Sequence, residues 1–173
     1  WDNPVEVFRV NASAVIGILD ILRRRSLKTR FFQASSAEIY GNAVGVVNEK
    51  INKFNPLHPY GTSKLAAHFA IKNFRDQYGL FAVNGIMFNH ESPLRENNFV
   101  TKKIVQGVAL IARGKVKKLS FGNISAYRDF GYAGDFVEAM WRMLNHTRSE
   151  DFVICTGKSF AVKDFIREAF ACI

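Results

Sequence analysis

Two short stretches of the sequence carry residues of the types that move protons. Ser36 and Glu38 stand two residues apart, and Tyr60 and Lys64 stand four residues apart further along. If Tyr60 begins a helix, its side chain and that of Lys64 are neighbours across one turn. Free tyrosine has a pKa near ~10, but an ammonium ~4 Å away at an effective dielectric of ~20 supplies roughly the 3–4 kcal/mol that deprotonation needs. The pair therefore has the chemistry of a base that deprotonates a hydroxyl group, as oxidation of an alcohol requires.

A competing interpretation exists for this pair. A lone tyrosine four residues before a lysine is more often a half-buried tyrosine beside a solvated lysine. Here the upstream Ser36 and Glu38 and the turn-rich stretch 56–59, Pro-Leu-His-Pro, favour the catalytic interpretation.

The elements that must position these residues follow from hydrophobic periodicity. Helices are predicted at residues 5–25, 60–78, 99–113, 135–144 and 162–170, and strands at 29–35, 80–88, 117–121 and 151–155. Gly79 is expected at the C-cap of the second helix. Short strands alternating with longer helices predict an α/β fold with a parallel sheet. Such sheets bind ligands beyond the carboxyl ends of their strands, so we expect the four residues to meet at that edge of strands 29–35 and 81–88.

Composition is that of a globular protein, with 48% hydrophobic and 23% charged residues. No apolar run approaches the ~18 residues of a membrane span, so no membrane partner is expected. The net charge of +9 comes from basic groups that are best explained as solvated faces. A small polyanion such as a nucleotide diphosphate therefore fits at least as well as nucleic acid, which is not expected as a partner. The four histidines lack metal-ligand spacing and the two cysteines form no CxxC, so neither a metal site nor a disulfide framework is expected.

A dinucleotide-binding enzyme of this type needs a glycine-rich turn after its first strand. None of the twelve glycines falls in a G-x-G-x-x-G or G-x-x-G-x-x-G pattern. The chain also begins at Trp1, and its first methionine is Met87. We therefore expect the sequence to be part of a longer protein whose phosphate-binding turn lies before Trp1.

Several stretches resemble those of a known family. They are FQASSAEIYG at 32–41, PYGTSK at 59–64, FNHESP at 88–93 and RDFGYAGDFVEAMWRML at 128–144. The first two resemble the extended short-chain dehydrogenase/reductases, and the later two narrow the resemblance to the GDP-mannose 4,6-dehydratase family. The resemblance implies a partial Rossmann-like parallel sheet that lacks the glycine-rich first half, in residues 1–92. Residues 93–173 would form part of a smaller α/β domain that binds the nucleotide sugar.

The resemblance also implies roles for the catalytic residues, with NADP as cofactor and GDP-mannose as substrate. Tyr60 would take the proton of the sugar 4-hydroxyl, and Lys64 would steady the tyrosinate and bond the nicotinamide ribose. Glu38 would remove the C5 proton and assist loss of the C6 hydroxyl as water, and Ser36 would bond the 4-oxygen. The product would be GDP-4-keto-6-deoxymannose, formed without net redox change.

Further binding residues are implied in the second half of the chain. His90 and Arg95 match positions that contact NADP, Asn89 and Lys103 match the substrate side, and Arg128 matches an arginine that meets the nucleotide diphosphate. The helices at 5–25 and 60–78 resemble a pair that forms a homo-oligomer contact, and the family implies a cytoplasmic enzyme. The chain departs from the family at Leu94, which replaces an arginine, and at His58, which replaces a serine.

Two alternatives stay open at this point. The chain could belong to another nucleotide-sugar dehydratase, epimerase or reductase, although Glu38 favours elimination because an epimerase needs no base at C5. It could also be a non-catalytic oligomerisation or binding fragment. Without a glycine-rich turn, the isolated chain is expected to bind NADP weakly or not at all and to be inactive alone.

Overall fold

The computed structural model describes residues 3–26, 28–43, 45–50 and 53–173. In chain order the elements are α1 (Pro4–Phe8), α2 (Ala14–Arg25), β1 (Phe31–Ser36), α3 (Pro59–Tyr78), β2 (Ala82–Met87), β3 (Asn89–Glu91), α4 (Val100–Ala112), β4 (Tyr127–Tyr132), α5 (Ala133–Leu144), β5 (Asp151–Ile154), β6 (Ser159–Ala161) and α6 (Val162–Ala171). They form two compact units, Trp1–Phe88 with Phe136–Ile154, and Asn89–Asp135 with Cys155–Ile173. None of the helices in the described residues has both the length and the apolar character needed to cross a bilayer.

The first unit is built on a parallel sheet of three strands in the order β1-β2-β5. All six residues of the central strand β2 are buried, as its nearly continuous apolar run predicts for a parallel strand covered on both faces. Helices α2 and α3 pack through Val15, Leu19, Ala67 and Ile71, which meet Leu80 and Ala82 in one apolar cluster. The α/β fold class with a parallel sheet is therefore confirmed.

Most predicted elements are confirmed, with ends that differ by one or two residues from the predicted ones. The helix predicted at 5–25 contains a wider, π-helical turn at Arg9–Ser13 between α1 and α2. Helix α3 ends as predicted, because Gly79 takes a left-handed conformation with φ of 67° at its C-cap. Cys155 and Cys172 are both exposed.

The second unit contains a small mixed sheet in which β3 and β4 are parallel and β4 and β6 antiparallel. Helices α4 and α6 pack together through Ile104, Val108 and Val162. The division of roles between residues 1–92 and 93–173 stays a prediction.

One predicted strand is wrong. Residues 117–121, where a short strand was predicted, form no strand. The Leu119 side chain instead lies directly over Gly107 of α4, and Phe121 packs against the α4–α6 cluster. The segment is thus held by side-chain packing on a helix and not by backbone pairing with a strand.

A buried polar network ties α3 to the sheet of the first unit. The fully buried Asn84 donates from Nδ2 to the His68 carbonyl at 3.2 Å and to Asp151 Oδ1 at 2.9 Å. Arg75 Nη1 donates to the same Asp151 oxygen at 3.0 Å, and His68 Nε2 lies 3.5 Å from Oδ2. Because buried polar groups need partners, this network restricts how α3 can slide over β2 and β5.

The network predicts a loss of stability on mild acidification. Burial is the largest influence on the His68 pKa and lowers it; Asp151 opposes this, and Arg75 and Lys72 add to it. The unfolded chain, with an ordinary pKa near ~6.5, therefore binds the proton more readily than the folded chain does. We expect His68 to have no effect on the pH dependence of the free energy of unfolding above pH ~6.5. Below that pH the free energy of unfolding should fall, by at most ~1.4 kcal/mol per pH unit from this group. Urea unfolding between pH 7 and pH 5 measures the slope.

The matched control for this prediction is the exposed His146. A His68→Gln variant should be less stable overall and should lose part of the slope between pH 7 and pH 5, whereas His146→Gln should retain it. Equal slopes for all three proteins would show that His68 is not the group responsible.

Candidate active site

Ser36 and Glu38 follow directly from the carboxyl end of β1. The strand ends at Ser36, and Ala37–Ile39 form one turn of 3₁₀-helix that is anchored by the fully buried Ile39. Ser36 caps this turn, since its Oγ accepts a hydrogen bond from the Glu38 N–H at 3.2 Å. The Glu38 side chain is about half exposed, at 48%. The turn therefore presents a carboxylate to solvent immediately beyond the sheet edge.

Tyr60 and Lys64 lie in the first two turns of α3. The Lys64 Nζ is 5.5 Å from the centroid of the Tyr60 ring, so the helical spacing makes them neighbours as predicted. Lys64 also donates to the Ala34 carbonyl of β1 at 3.0 Å, which brings its ammonium to the sheet edge. Burial lowers the pKa of Lys64 below its ordinary value.

His58 joins these two groups of residues, and sequence reasoning did not assign it to the site. It is the N-cap of α3, and its Nδ1 accepts a hydrogen bond from the Gly61 N–H at 3.1 Å. Its Nε2 lies 3.0 Å from Glu38 Oε2, and its ring lies 6.1 Å from that of Tyr60, centroid to centroid. The available signal was its position immediately before Pro59, because proline is favoured at the first helical position and the preceding residue is then the cap.

The four predicted catalytic residues are thus brought together near the carboxyl ends of the strands of the first sheet. Ser36 stands opposite Met87 in the parallel pairing of β1 and β2, so both strands end at this edge. Their roles in catalysis stay predictions. Chemically, the arrangement offers a phenol beside an ammonium, a hydroxyl group and a carboxylate, which is a set suited to proton transfer at two positions of one substrate.

Gly61 allows the start of α3 to lie against the Glu38 turn. A Cβ atom at this position would lie 2.8 Å from the Glu38 carbonyl oxygen and 3.1 Å from Pro56 Cβ. The first contact is with backbone, which cannot move aside without displacing the turn that carries Glu38.

This close approach leads to a stability prediction with an internal control. Gly61→Ala should lower the free energy of unfolding by about 1–3 kcal/mol, because the added methyl group overpacks the contact. Gly17→Ala, in the middle of α2 with no atom within 4 Å of the added Cβ, should raise it by roughly 0.5–1 kcal/mol. Urea unfolding of both variants measures the difference; a stabilising Gly61→Ala would contradict the tight packing described here.

The predicted binding residues of the second half all lie in the second unit. Asn89 and His90 are half-buried in β3, opposite Phe130 and Gly131 of β4, and Lys103 is exposed on α4. The roles of these residues stay predictions.

Arg95 and Arg128 have partners within the second unit. The Arg95 guanidinium lies 3.5 Å above the Phe99 ring and its Nε lies 3.2 Å from Glu91 Oε2. The exposed Arg128 donates from Nη1 to the Tyr127 carbonyl at 2.8 Å. An anionic ligand would have to compete with Glu91 for Arg95, whereas Arg128 has no carboxylate partner in the described residues.

Asp129 is a further residue that sequence reasoning missed, since the Arg128–Asp129 pair alone suggested a surface ion pair. Its carboxylate is buried and accepts hydrogen bonds from the backbone N–H groups of Thr156 and Gly157, at 3.0 and 2.8 Å. It therefore holds the turn that follows β5 and is structural. In the described residues, no group of three or more His, Cys, Asp or Glu side chains is placed to hold a metal ion.

Comparison with known sequences matches the whole chain. A family model described as GDP-mannose 4,6 dehydratase matches residues 1–173. The GDP-mannose 4,6 dehydratase of Cricetulus griseus is 45% identical over 163 residues, which are 93% of this chain and 44% of the relative. GDP-mannose 4,6 dehydratase 2 of Caenorhabditis elegans is 42% identical over 173 residues, which are 99% of this chain and 45% of the relative. The chain therefore spans less than half the length of these relatives.

Solved structures with the same fold include that of RMD from Pseudomonas aeruginosa, determined as a complex with NADPH. It superposes with a TM-score of 0.87 at 25% sequence identity, over 96% of this chain and 58% of that protein. The likeness supports the Rossmann-like character of the sheet.

Proposed function

Since the chain belongs to the GDP-mannose 4,6-dehydratase family, we propose that it carries the catalytic residues of an enzyme that converts GDP-mannose to GDP-4-keto-6-deoxymannose. The observation that carries the proposal is the placement of Glu38. Its carboxylate projects from the end of β1 and is joined through His58 to the helix turn that bears Tyr60 and Lys64. Two groups that can accept protons, the Glu38 carboxylate and the Tyr60 phenol, therefore lie near the carboxyl end of β1.

In the proposed reaction Tyr60 accepts the proton of the sugar 4-hydroxyl. Lys64 supports this role because its ammonium lies 5.5 Å from the centroid of the Tyr60 ring and favours negative charge nearby. Its bond to the Ala34 carbonyl fixes the ammonium against the sheet, so the charge is in place before substrate binds. Ser36 supplies a hydroxyl group that can bond the same sugar oxygen.

Glu38 carries out the second proton transfer. Once C4 is a ketone, the neighbouring C5–H is acidic, and a carboxylate is a sufficient base to remove it. The proton that Glu38 takes can then be given to the departing C6 hydroxyl, which leaves as water. This step is what distinguishes a dehydratase from an epimerase at the same sugar.

A nicotinamide cofactor fits the residues at this edge. Among the described residues, the Ala34 carbonyl is the one hydrogen-bond acceptor of the Lys64 ammonium, which has three donors, so the others suit ribose hydroxyls. When bound, the cofactor would supply a hydride acceptor for C4 and a hydride donor for C6. The complex of RMD with NADPH supports NADP as the cofactor. His90 and Arg95 are proposed as further cofactor contacts.

The substrate contacts proposed in the second unit are Asn89, Lys103 and Arg128. Of these three residues, Arg128 is the best-supported candidate, since its guanidinium is exposed and can bond two diphosphate oxygens at once. Lys103 is exposed on α4 and adds a second positive charge for an anionic substrate.

A chimera tests the proposed function directly. In it, this chain replaces the matched segment of the Cricetulus griseus relative, which supplies the rest of the family's length. We expect the chimera to consume GDP-mannose and to release a product lighter by one water, as measured by mass spectrometry. The nicotinamide cofactor should show no net oxidation or reduction, as measured by absorbance. The unmodified relative is the positive control. A folded chimera that binds NADP but yields no such product would refute the proposal.

We also propose that the helical segments 5–25 and 60–78 form a homo-oligomer contact. Val10, Ile18 and Ile21 are exposed by 52%, 45% and 61%, and Phe69 of α3 by 43%. Monomeric proteins seldom expose many large apolar side chains together. Sedimentation should show an oligomer that Ile21→Glu dissociates, and a wild-type monomer at every concentration would contradict this contact.

A further inference from the structure

We propose that His58 is a positioning residue that holds the Glu38 carboxylate by one oxygen and leaves the other oxygen to act as the base. The proposal rests on the proposed function, in which Glu38 removes the C5 proton. It starts from two contacts of one ring: Nδ1 with the Gly61 N–H at 3.1 Å, and Nε2 with Glu38 Oε2 at 3.0 Å.

The first contact determines the tautomer of the ring. Since Nδ1 accepts a hydrogen bond from a backbone N–H, its lone pair is occupied and it carries no proton. In the neutral imidazole the proton is therefore on Nε2, and Nε2–H donates to Glu38 Oε2. The partner of one nitrogen thus sets what the other nitrogen can do.

The second contact selects one oxygen of Glu38. Within the described residues, Oε1 takes part in no hydrogen bond, while Oε2 accepts from His58. A glutamate side chain that is 48% exposed has several rotamers open to it, and the bond to the ring restricts it to one position. Oε1 is then the free acceptor, held in one place relative to the α3 turn that carries Tyr60.

The same geometry argues against a proton relay through His58. A relay would require Nδ1 to take up or pass on a proton, which would break its bond with the Gly61 N–H. That bond also caps α3, because it satisfies one of the free N–H groups of the first turn. The ring can therefore hold the carboxylate without exchanging protons with it.

The contact itself is tested in the full chain by nitrogen NMR of labelled histidine. We expect His58 to give an unprotonated Nδ1 and a protonated Nε2 at neutral pH, and Glu38→Ala to change the Nε2 signal. His146 is the control, and its signals should not respond to Glu38→Ala. A protonated Nδ1, or an Nε2 signal unchanged by Glu38→Ala, would overturn the proposal.

The role is tested by two variants that separate the two contacts. Asparagine keeps an acceptor at the place of Nδ1, since its Oδ1 is also bonded to Cγ, but it cannot reach Glu38. Glutamine can place an amide N–H near the position of Nε2, but it is a poor N-cap. In the chimera, His58→Asn should keep the thermal midpoint and slow elimination by about 10- to 100-fold. His58→Gln should lower the midpoint by about 2–4 °C and yet eliminate faster than His58→Asn.

These outcomes distinguish this inference from the proposed function. If Glu38→Gln leaves the chimera fully active, the role of Glu38 fails and the present inference fails with it. If Glu38→Gln blocks elimination but His58→Asn eliminates at the wild-type rate, the inference alone is overturned. A rate that falls with the thermal midpoint in both variants would mean that His58 is merely a helix cap. His146→Gln, which alters the exposed His146–Glu150 pair, should change neither quantity.

Discussion

The Glu38→Gln variant of the chimera is expected to oxidise its substrate at C4 and to stop there. The amide can still accept the hydrogen bond from His58, so the position of the side chain is kept and only its basicity is lost. Removal of a positioned proton acceptor typically slows a step by ~10²–10⁴-fold. In a single-turnover absorbance measurement, reduced nicotinamide and a 4-keto hexose should therefore accumulate.

The control for this variant is Glu49→Gln, a carboxylate whose Oε1 accepts from the Val153 N–H at the edge of β5. It should eliminate at the wild-type rate. If Glu38→Gln forms no reduced nicotinamide at all, or turns over fully, Glu38 is not the base of the elimination step.

The Tyr60→Phe variant is expected to fail one step earlier. The ring and its contacts with Lys64 and His58 are kept, but the oxygen proposed to accept the 4-hydroxyl proton is gone. We expect oxidation to slow by ~10²–10⁴-fold, so that little reduced nicotinamide appears on the timescale of a wild-type turnover. The same single-turnover measurement reports it.

Tyr78→Phe is a matched control, because it removes a hydroxyl group at the far end of the same helix. It should form reduced nicotinamide normally. The assignment of Tyr60 would be contradicted if Tyr60→Phe accumulated reduced nicotinamide as Glu38→Gln does. The two variants together test whether oxidation and elimination use different proton acceptors.

Features with a local physical cause were predicted from the sequence. The helices follow from apolar spacing of three and four residues, and the pairing of Tyr60 with Lys64 follows from one turn of α3. The placement of Ser36 beside the start of α3 follows from a general property of parallel sheets, whose strands end at a common edge. Gly79 was predictable as a C-cap because a left-handed conformation favours glycine.

Short strands were less predictable, since strand pairing depends on a partner. β3 and β6 have three residues each, too few for a periodic signal, and they exist because β4 pairs with both. Residues 117–121 had the pattern of a strand but no strand to pair with. There Leu119 packs over Gly107, where the absence of a side chain leaves room for it.

The sequence by itself therefore determined the α/β fold class and the residue types at the sheet edge. Only the tertiary structure decided which partners those residues have. His58 meets Glu38 across 20 residues of chain, and Asp129 meets the Gly157 N–H across 28. Such contacts have no local signal, because hydrophobic periodicity reports which face of an element is buried and not which polar atom it meets. They form when packing closes the loop between them, as where the absence of a Cβ at Gly61 lets α3 rest on the Glu38 turn.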